Sequence, residues 1–163
     1  MLKHIAVLIA FTTVLTMPAM AQNAGQISKV KSGKSCPGCN LFQADLAYKD
    51  SAGLNLSKSR LRQADLALVT YDRINFAGSN LSVTNLFGAR FNKCNFSGAN
   101  LQGASAVGTY FGSSNLTGAN LSGANLSGAD LSIARGLNQT QLNAACGDHT
   151  TRLPTGKTIP ACR

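Results

Sequence analysis

Cys36 and Cys39 stand in a Cys-Pro-Gly-Cys segment, the spacing of thiols that exchange with disulfides. That chemistry uses a strand running into a helix, whose N-terminus lowers the pKa of the attacking thiol. Here a regular polar repeat follows Cys39 instead, so a thiol oxidoreductase is the weakest of the readings. Zinc needs more ligands than two sulfurs, and beyond His4 the only histidine is His149, near the other end of the chain. Serines and aspartates are abundant but recur with the repeat, and no histidine is placed to activate a hydroxyl. No catalytic residue, cofactor or metal is therefore expected, and the chain reads as a non-enzyme.

The charge offers binding rather than reaction. Lys and Arg number 15 against 6 acids, all of them Asp, for a net charge of +9. The basic residues fall in small separate groups: Lys29, Lys31 and Lys34; Lys58, Arg60 and Arg62; Arg73, Arg90 and Lys93. Few aromatics lie among them. A solvated basic surface accounts for this pattern, and a binder of anionic surfaces (lipid headgroups, cell-wall polymer or nucleic acid) is the alternative. Salt separates the two, because phosphate-type binding weakens steeply with ionic strength.

The chain opens with Met1-Leu2-Lys3-His4, an apolar run from Ile5 to Met17, and Pro18-Ala19-Met20-Ala21. A basic start, a short apolar middle and an A-x-A end predict a secretory signal, 1–21, cleaved after Ala21. Its removal takes Lys3 and leaves +8. The mature chain is expected in the periplasm or outside the cell, where disulfides persist, and no later stretch is apolar enough to cross a membrane.

What must position any functional group is a strict period of five over 39–133. Every fifth residue from Leu41 to Leu131 is large and apolar except Ser51 and Ala106. The residue two earlier is usually small, as at Ala44, Ala64, Ala99 and Ala119, and Asn or Asp usually stands between. A period of five fits neither a plain helix nor a plain strand, and points to a solenoid. Sorting by 20 gathers like residues: Leu41, Leu61, Leu81, Leu101 and Leu121 in one column, and Leu56, Phe76, Phe96 and Leu116 in another behind Asn55, Asn75, Asn95 and Asn115.

Units such as Ala119-Asn120-Leu121-Ser122-Gly123 and Ala124-Asn125-Leu126-Ser127-Gly128 resemble the A(D/N)LXX signature of the pentapeptide-repeat family. The resemblance implies an all-β fold, a right-handed quadrilateral β-helix with one pentapeptide per side, four per turn, and the centre and the small residue pointing inward. The Cys-Pro-Gly-Cys start and the tail with Leu153-Pro154 resemble exported bacterial members. The expected divisions are 1–21 signal, 22–38 N-terminal tail and cap, 39–133 β-helix, and 134–163 a short helical cap and tail, with Asn138 as helix N-cap and Leu137 and Leu142 over the last coil. Some members of the family resemble B-DNA and inhibit gyrase; such mimicry needs an acidic rod, so this basic chain is not expected to do so.

On that frame, Cys146 and Cys162 flank a loop outside the coil, and a bond between them would stabilise the tail by roughly 3 kcal/mol. Cys94 falls in an inward place as a free thiol. Cys36 and Cys39 pair with each other or stay reduced. Lys49 and Ser51 fall in inward places, read as a local bulge or a functional break in the wall. Ser82 is expected to face water. The leading function is a structural or protein-interaction scaffold, bound to a protein partner or a second copy through a flat face. On one face the outward places hold Ala47-Tyr48, Ala67-Leu68, Phe87-Gly88 and Val107-Gly108, an apolar patch anchored by Tyr48, Leu68, Phe87 and Val107. Either it contacts a partner or the N-terminal tail around Ile27 and Val30 folds over it.

Overall fold

The computed structural model describes residues 22–163; the expected signal and its cleavage point lie outside the described residues. The local unit is a turn every five residues. The Asn or Asp before each centre accepts, through Oδ1, the N–H two residues on: Ala77 on Asn75, Ser97 on Asn95 and Ser127 on Asn125, each at 3.0 Å. Short polar side chains favour such turns because they mimic a backbone acceptor. The next N–H goes to the adjacent coil, as Gly78 does to the Ser97 carbonyl, and the one after it returns to the carbonyl of the centre, as Ala44 does to Leu41 and Ala99 to Phe96, both at 3.0 Å.

Four such units bring the chain back beside itself. Parallel bridges join Asn40 to Arg60, Arg60 to Asn80, Asn80 to Asn100 and Asn100 to Asn120. A second ladder runs from Asn55 through Asn75, Asn95 and Asn115 to Arg135. The backbone is shared between successive coils: Leu41 N–H donates to the Arg60 carbonyl and Arg60 N–H to the Cys39 carbonyl, both at 2.8 Å. In one column the pairing is continuous enough for strands: β1 (Asp50–Ala52), β2 (Thr70–Asp72) and β3 (Arg90–Asn92) form a parallel sheet in the order β1-β2-β3. Its register is Asp50 with Thr70 and Thr70 with Arg90. The result is a β-helix of 20 residues per coil, as the columns predict.

The centres fill the interior. Leu41, Leu61, Leu81, Leu101 and Leu121 are all buried. Beside them runs an aromatic stack: Phe76 on Phe96 with centroids 5.0 Å apart, and Phe91 on Phe111 at 5.7 Å. Outside it, the asparagines of the Leu56 column hand hydrogen bonds from coil to coil, Asn75 Nδ2 to Asn55 Oδ1 and Asn95 Nδ2 to Asn75 Oδ1, both at 3.3 Å.

Two helices lie at the ends. The first, α1 (Ala24–Lys31), starts at Asn23, whose side chain accepts from Gln26 N–H. Its Gln26 Oε1 accepts from Asn40 N–H at 2.6 Å, and Val30 is buried against the first coil. The second, α2 (Gln139–Asn143), has Asn138 as its N-cap in a reciprocal capping box with Gln141, as the sequence predicts. Leu142 is buried, and Leu137 packs against the core. The ladder does not stop at Ile133: Cys146 pairs with Asn125 and Arg152 with Asp130.

Two expectations need correction. Lys49 is exposed, but through no bulge, since bridges of unbroken 20-residue register flank it, Asp45 to Asp65 and Asp50 to Thr70. It lies in the first coil and reaches water without a break in the wall. Ser82 does not face water; it is only 8 % exposed, because a short side chain sits between the longer Arg62 and Gln102 of the adjacent coils. The segment 22–38, expected as a tail and cap, contains α1.

Candidate interaction surface

The thiols are all withdrawn from chemistry. Cys36 and Cys39 are bonded to each other and buried, and Cys146 is bonded to Cys162. Cys94 is free and buried. Burial pushes its thiol up to about 12, and Asp72 adds to the rise, so it stays protonated at neutral pH. Among the described residues no group of His, Cys, Asp or Glu is arranged to hold a metal, and no helix is long and apolar enough to cross a membrane.

The apolar patch stands open. Tyr48 is 75 % exposed, Leu68 44 % and Phe87 52 %. Val107 is half-buried and Ala67 buried, so they form the floor rather than the anchors. Val83 is 52 % exposed at the adjoining corner and extends the patch; the sequence reading missed it because it belongs to the neighbouring column. The N-terminal segment does not cover the face. Its Val30 and Ile27 pack on the core, Gln22 Nε2 donates to the Gln43 carbonyl at 2.9 Å, and Lys31 Nζ lies 3.9 Å from Asp45 Oδ2. It closes over the end of the first coil and leaves Tyr48 outside.

The backbone adds a second mark. The fifth place of each unit takes a left-handed conformation that suits glycine. From Gly98 to Gly128 that place is glycine except at Ser113, whereas the earlier coils put there Gln43, Lys58, Gln63, Arg73 and Lys93 and also the apolar Tyr48 (φ 57°), Leu68 (φ 56°) and Val83 (φ 56°). A side chain in that region costs roughly 1–2 kcal/mol, most for a β-branched residue. Three large apolar groups are thus among the side chains held at strained positions with much of their surface in water.

Arg73 pairs with Asp72 at 2.6 Å and Arg152 with Asp130 at 3.7 Å.

These repeats match the family model for pentapeptide repeats in eight copies, over residues 72–103 and 94–132. Residues 72–132 of the chain are pentapeptide repeats of this family. That membership makes its β-helix right-handed. None of the curated proteins matches it. Among solved structures it is similar to the pentapeptide-repeat protein Rfr23 of the cyanobacterium Cyanothece 51142, with 24% identity over 79% of this chain and 97% of that one and a TM-score of 0.39. It is also similar to alr5209 of Nostoc PCC 7120, with 20% identity, 85% and 91% coverage and a TM-score of 0.48. HetL of Nostoc sp. PCC 7120, described as involved in heterocyst differentiation regulation, shares 26% identity over 70% of this chain and 63% of its own, at a TM-score of 0.30.

Proposed function

We propose that this pentapeptide-repeat protein is a non-enzymatic protein-interaction scaffold of the bacterial periplasm or exterior. Its rod is four-sided, each pentapeptide forming one side, with α1 and α2 closing its ends and the bonded C-terminal tail completing the second closure. The divisions are 1–21 signal, 22–38 N-terminal closure, 39–133 β-helix and 134–163 C-terminal closure. Members of the family generally serve as structural or interaction scaffolds, and no reactive thiol, metal cluster or activated hydroxyl of this chain argues for more.

One observation carries the reading: Tyr48, Leu68 and Phe87 project from one face, exposed and uncovered by the chain's own N-terminal segment. Exposed aromatic and aliphatic anchors on a rigid flat surface are what a protein partner desolvates. The partner is another protein or a second copy. Sedimentation and affinity capture of the intact protein and its Phe87→Asp variant test this. The variant should keep its fold and lose self-association or partner capture; unchanged association in a folded variant removes the face from the account. Fractionation of cells, with the mass of the mature N-terminus, tests the location and the cleavage after Ala21.

A further inference from the structure

In the column of β1, β2 and β3 the repeat gives up its own turn chemistry over successive coils. In the other columns the residue before the centre is usually Asn or Asp and caps the turn. Here that place holds Asp50, then Thr70, Arg90 and Tyr110, and none of the four caps its turn; the capping bond returns one coil later, where Ser132 N–H bonds Asp130. The backbone is extended in β2 and β3 instead, so Thr70 and Asp72, and Arg90 and Asn92, point outward in two columns; Tyr110, bridged to Arg90, and Gly112, in a turn, continue those columns. A local rule broken over successive coils marks a surface shaped for something other than folding.

The side chains there are arranged with care. Asp72 is satisfied at both oxygens, by Asn92 Nδ2 at 2.7 Å and Arg73 Nη1 at 2.6 Å. With its amide given to Asp72, Asn92 keeps its carbonyl oxygen as an acceptor. Arg90 has no carboxylate partner among the described residues; its guanidinium carbon lies 4.9 Å from the centre of the Tyr110 ring. A stacked guanidinium keeps its N–H edge free for a planar anion. Tyr110 itself lies across Gly112, where a Cβ would fall on the ring. Gly112 has no positive φ, and no other unit has glycine in the place after the centre. It is there for space, since only a residue without a Cβ lets the ring approach so closely. Thr70, Asp72, Arg90, Asn92 and Tyr110 line a shallow cavity of about 320 Å³. Beneath it the Tyr71, Phe91 and Phe111 rings form a rigid floor.

We propose that this cavity binds a carboxylate-bearing saccharide, such as one unit of an acidic polysaccharide chain. Arg90 takes the carboxylate through its free edge, the geometry in which arginine and a carboxylate form paired hydrogen bonds. The Asn92 carbonyl and the Thr70 hydroxyl meet sugar hydroxyls, which both donate and accept. The half-buried Tyr110 ring supplies the apolar wall. An acidic peptide would also match Arg90, but it brings one backbone N–H per residue to these acceptors, where each sugar ring brings several hydroxyls that both donate and accept. This site lies in a different column from the apolar patch, and its occupation does not depend on a protein partner.

The test is calorimetric titration of the intact protein with sodium polygalacturonate, dextran, dextran sulfate and poly-L-glutamate, at about 0.15 M salt so that diffuse attraction is screened. Polygalacturonate should bind and dextran should not. Arg90→Gln should weaken binding about tenfold or more, as loss of a charge-assisted bond implies. Gly112→Ala should weaken it too by lifting Tyr110, without backbone strain, and melting curves check that both variants fold. Lys34→Gln, with the same change of charge on an exposed loop, should bind as the parent does. The proposal fails if polygalacturonate does not bind, if dextran sulfate binds as tightly, or if Lys34→Gln loses as much as Arg90→Gln. Equal binding of poly-L-glutamate would make the site one for acidic peptides and overturn the saccharide.

Discussion

The Leu68 side chain lies across Gly88, its Cδ2 2.7 Å from the point a Cβ there would occupy. Residues 20 apart are therefore in contact outside the rod as well as within it. Gly88→Ala must both displace Leu68 and hold a φ of +61°. Gly98 has the same φ and open space around it. Gly98→Ala should cost about 1–2 kcal/mol from the backbone alone, and Gly88→Ala should cost more. Urea melts of the two variants measure the difference; equal costs would mean that Leu68 does not lie there.

Val83→Gly should stabilise the protein by roughly 0.5–1 kcal/mol. Valine at φ 56° carries left-handed strain that glycine does not, and the entropy glycine brings to the unfolded chain offsets only part of the relief. Thermal unfolding reads this directly. A destabilised Val83→Gly would show that the side chain packs usefully within the chain rather than waiting for a partner.

Leu81→Ala and Leu101→Ala should each cost about 2–5 kcal/mol, since both are fully enclosed and the stacked coils cannot collapse into the gap. Ser122→Ala, half-exposed in the same column, should change stability by less than about 0.5 kcal/mol. Denaturant titration of all three variants checks the contrast.

The buried Cys94 thiol makes stability depend on alkaline pH. Its folded pKa of about 12 lies above the ordinary value of 9.0. Between those values the unfolded chain releases a proton that the folded chain keeps. The contribution is complete below pH 9 and is lost as pH rises toward 12. Replacing Cys94 with Ala should flatten the decline between pH 9 and 12 relative to the parent. In the native protein at neutral pH the thiol should resist alkylation, and mass mapping should find Cys36 joined to Cys39 and Cys146 to Cys162.

Much of the fold was legible because a five-residue period is a strong signal. The inward leucines, the column of asparagines and the 20-residue spacing all follow from side-chain type at fixed places. So did Asn138, because a capping residue acts on its own next few N–H groups. What the pattern hid depends on neighbours 20 residues away or on the ends. Ser82 looks exposed by place and is buried by the residues stacked on either side of it. Lys49 looks buried by place and reaches water in the first coil. The patch of Tyr48, Leu68 and Phe87 was readable as a column, whereas Val83 joins it only around a corner. The Thr70, Arg90 and Tyr110 surface was visible as a departure from the repeat, but its meaning needed the flat tyrosine over Gly112.

The claim that matters most is that the apolar face is a contact surface. A photo-crosslinking amino acid at position 87, on that face, can be compared with one at position 122, among the polar residues after the Leu121 centre, in the protein expressed in its own cells. The account predicts one discrete protein adduct, or a dimer, from position 87 and none from position 122. Adducts of equal yield from both positions, or from neither, would contradict it.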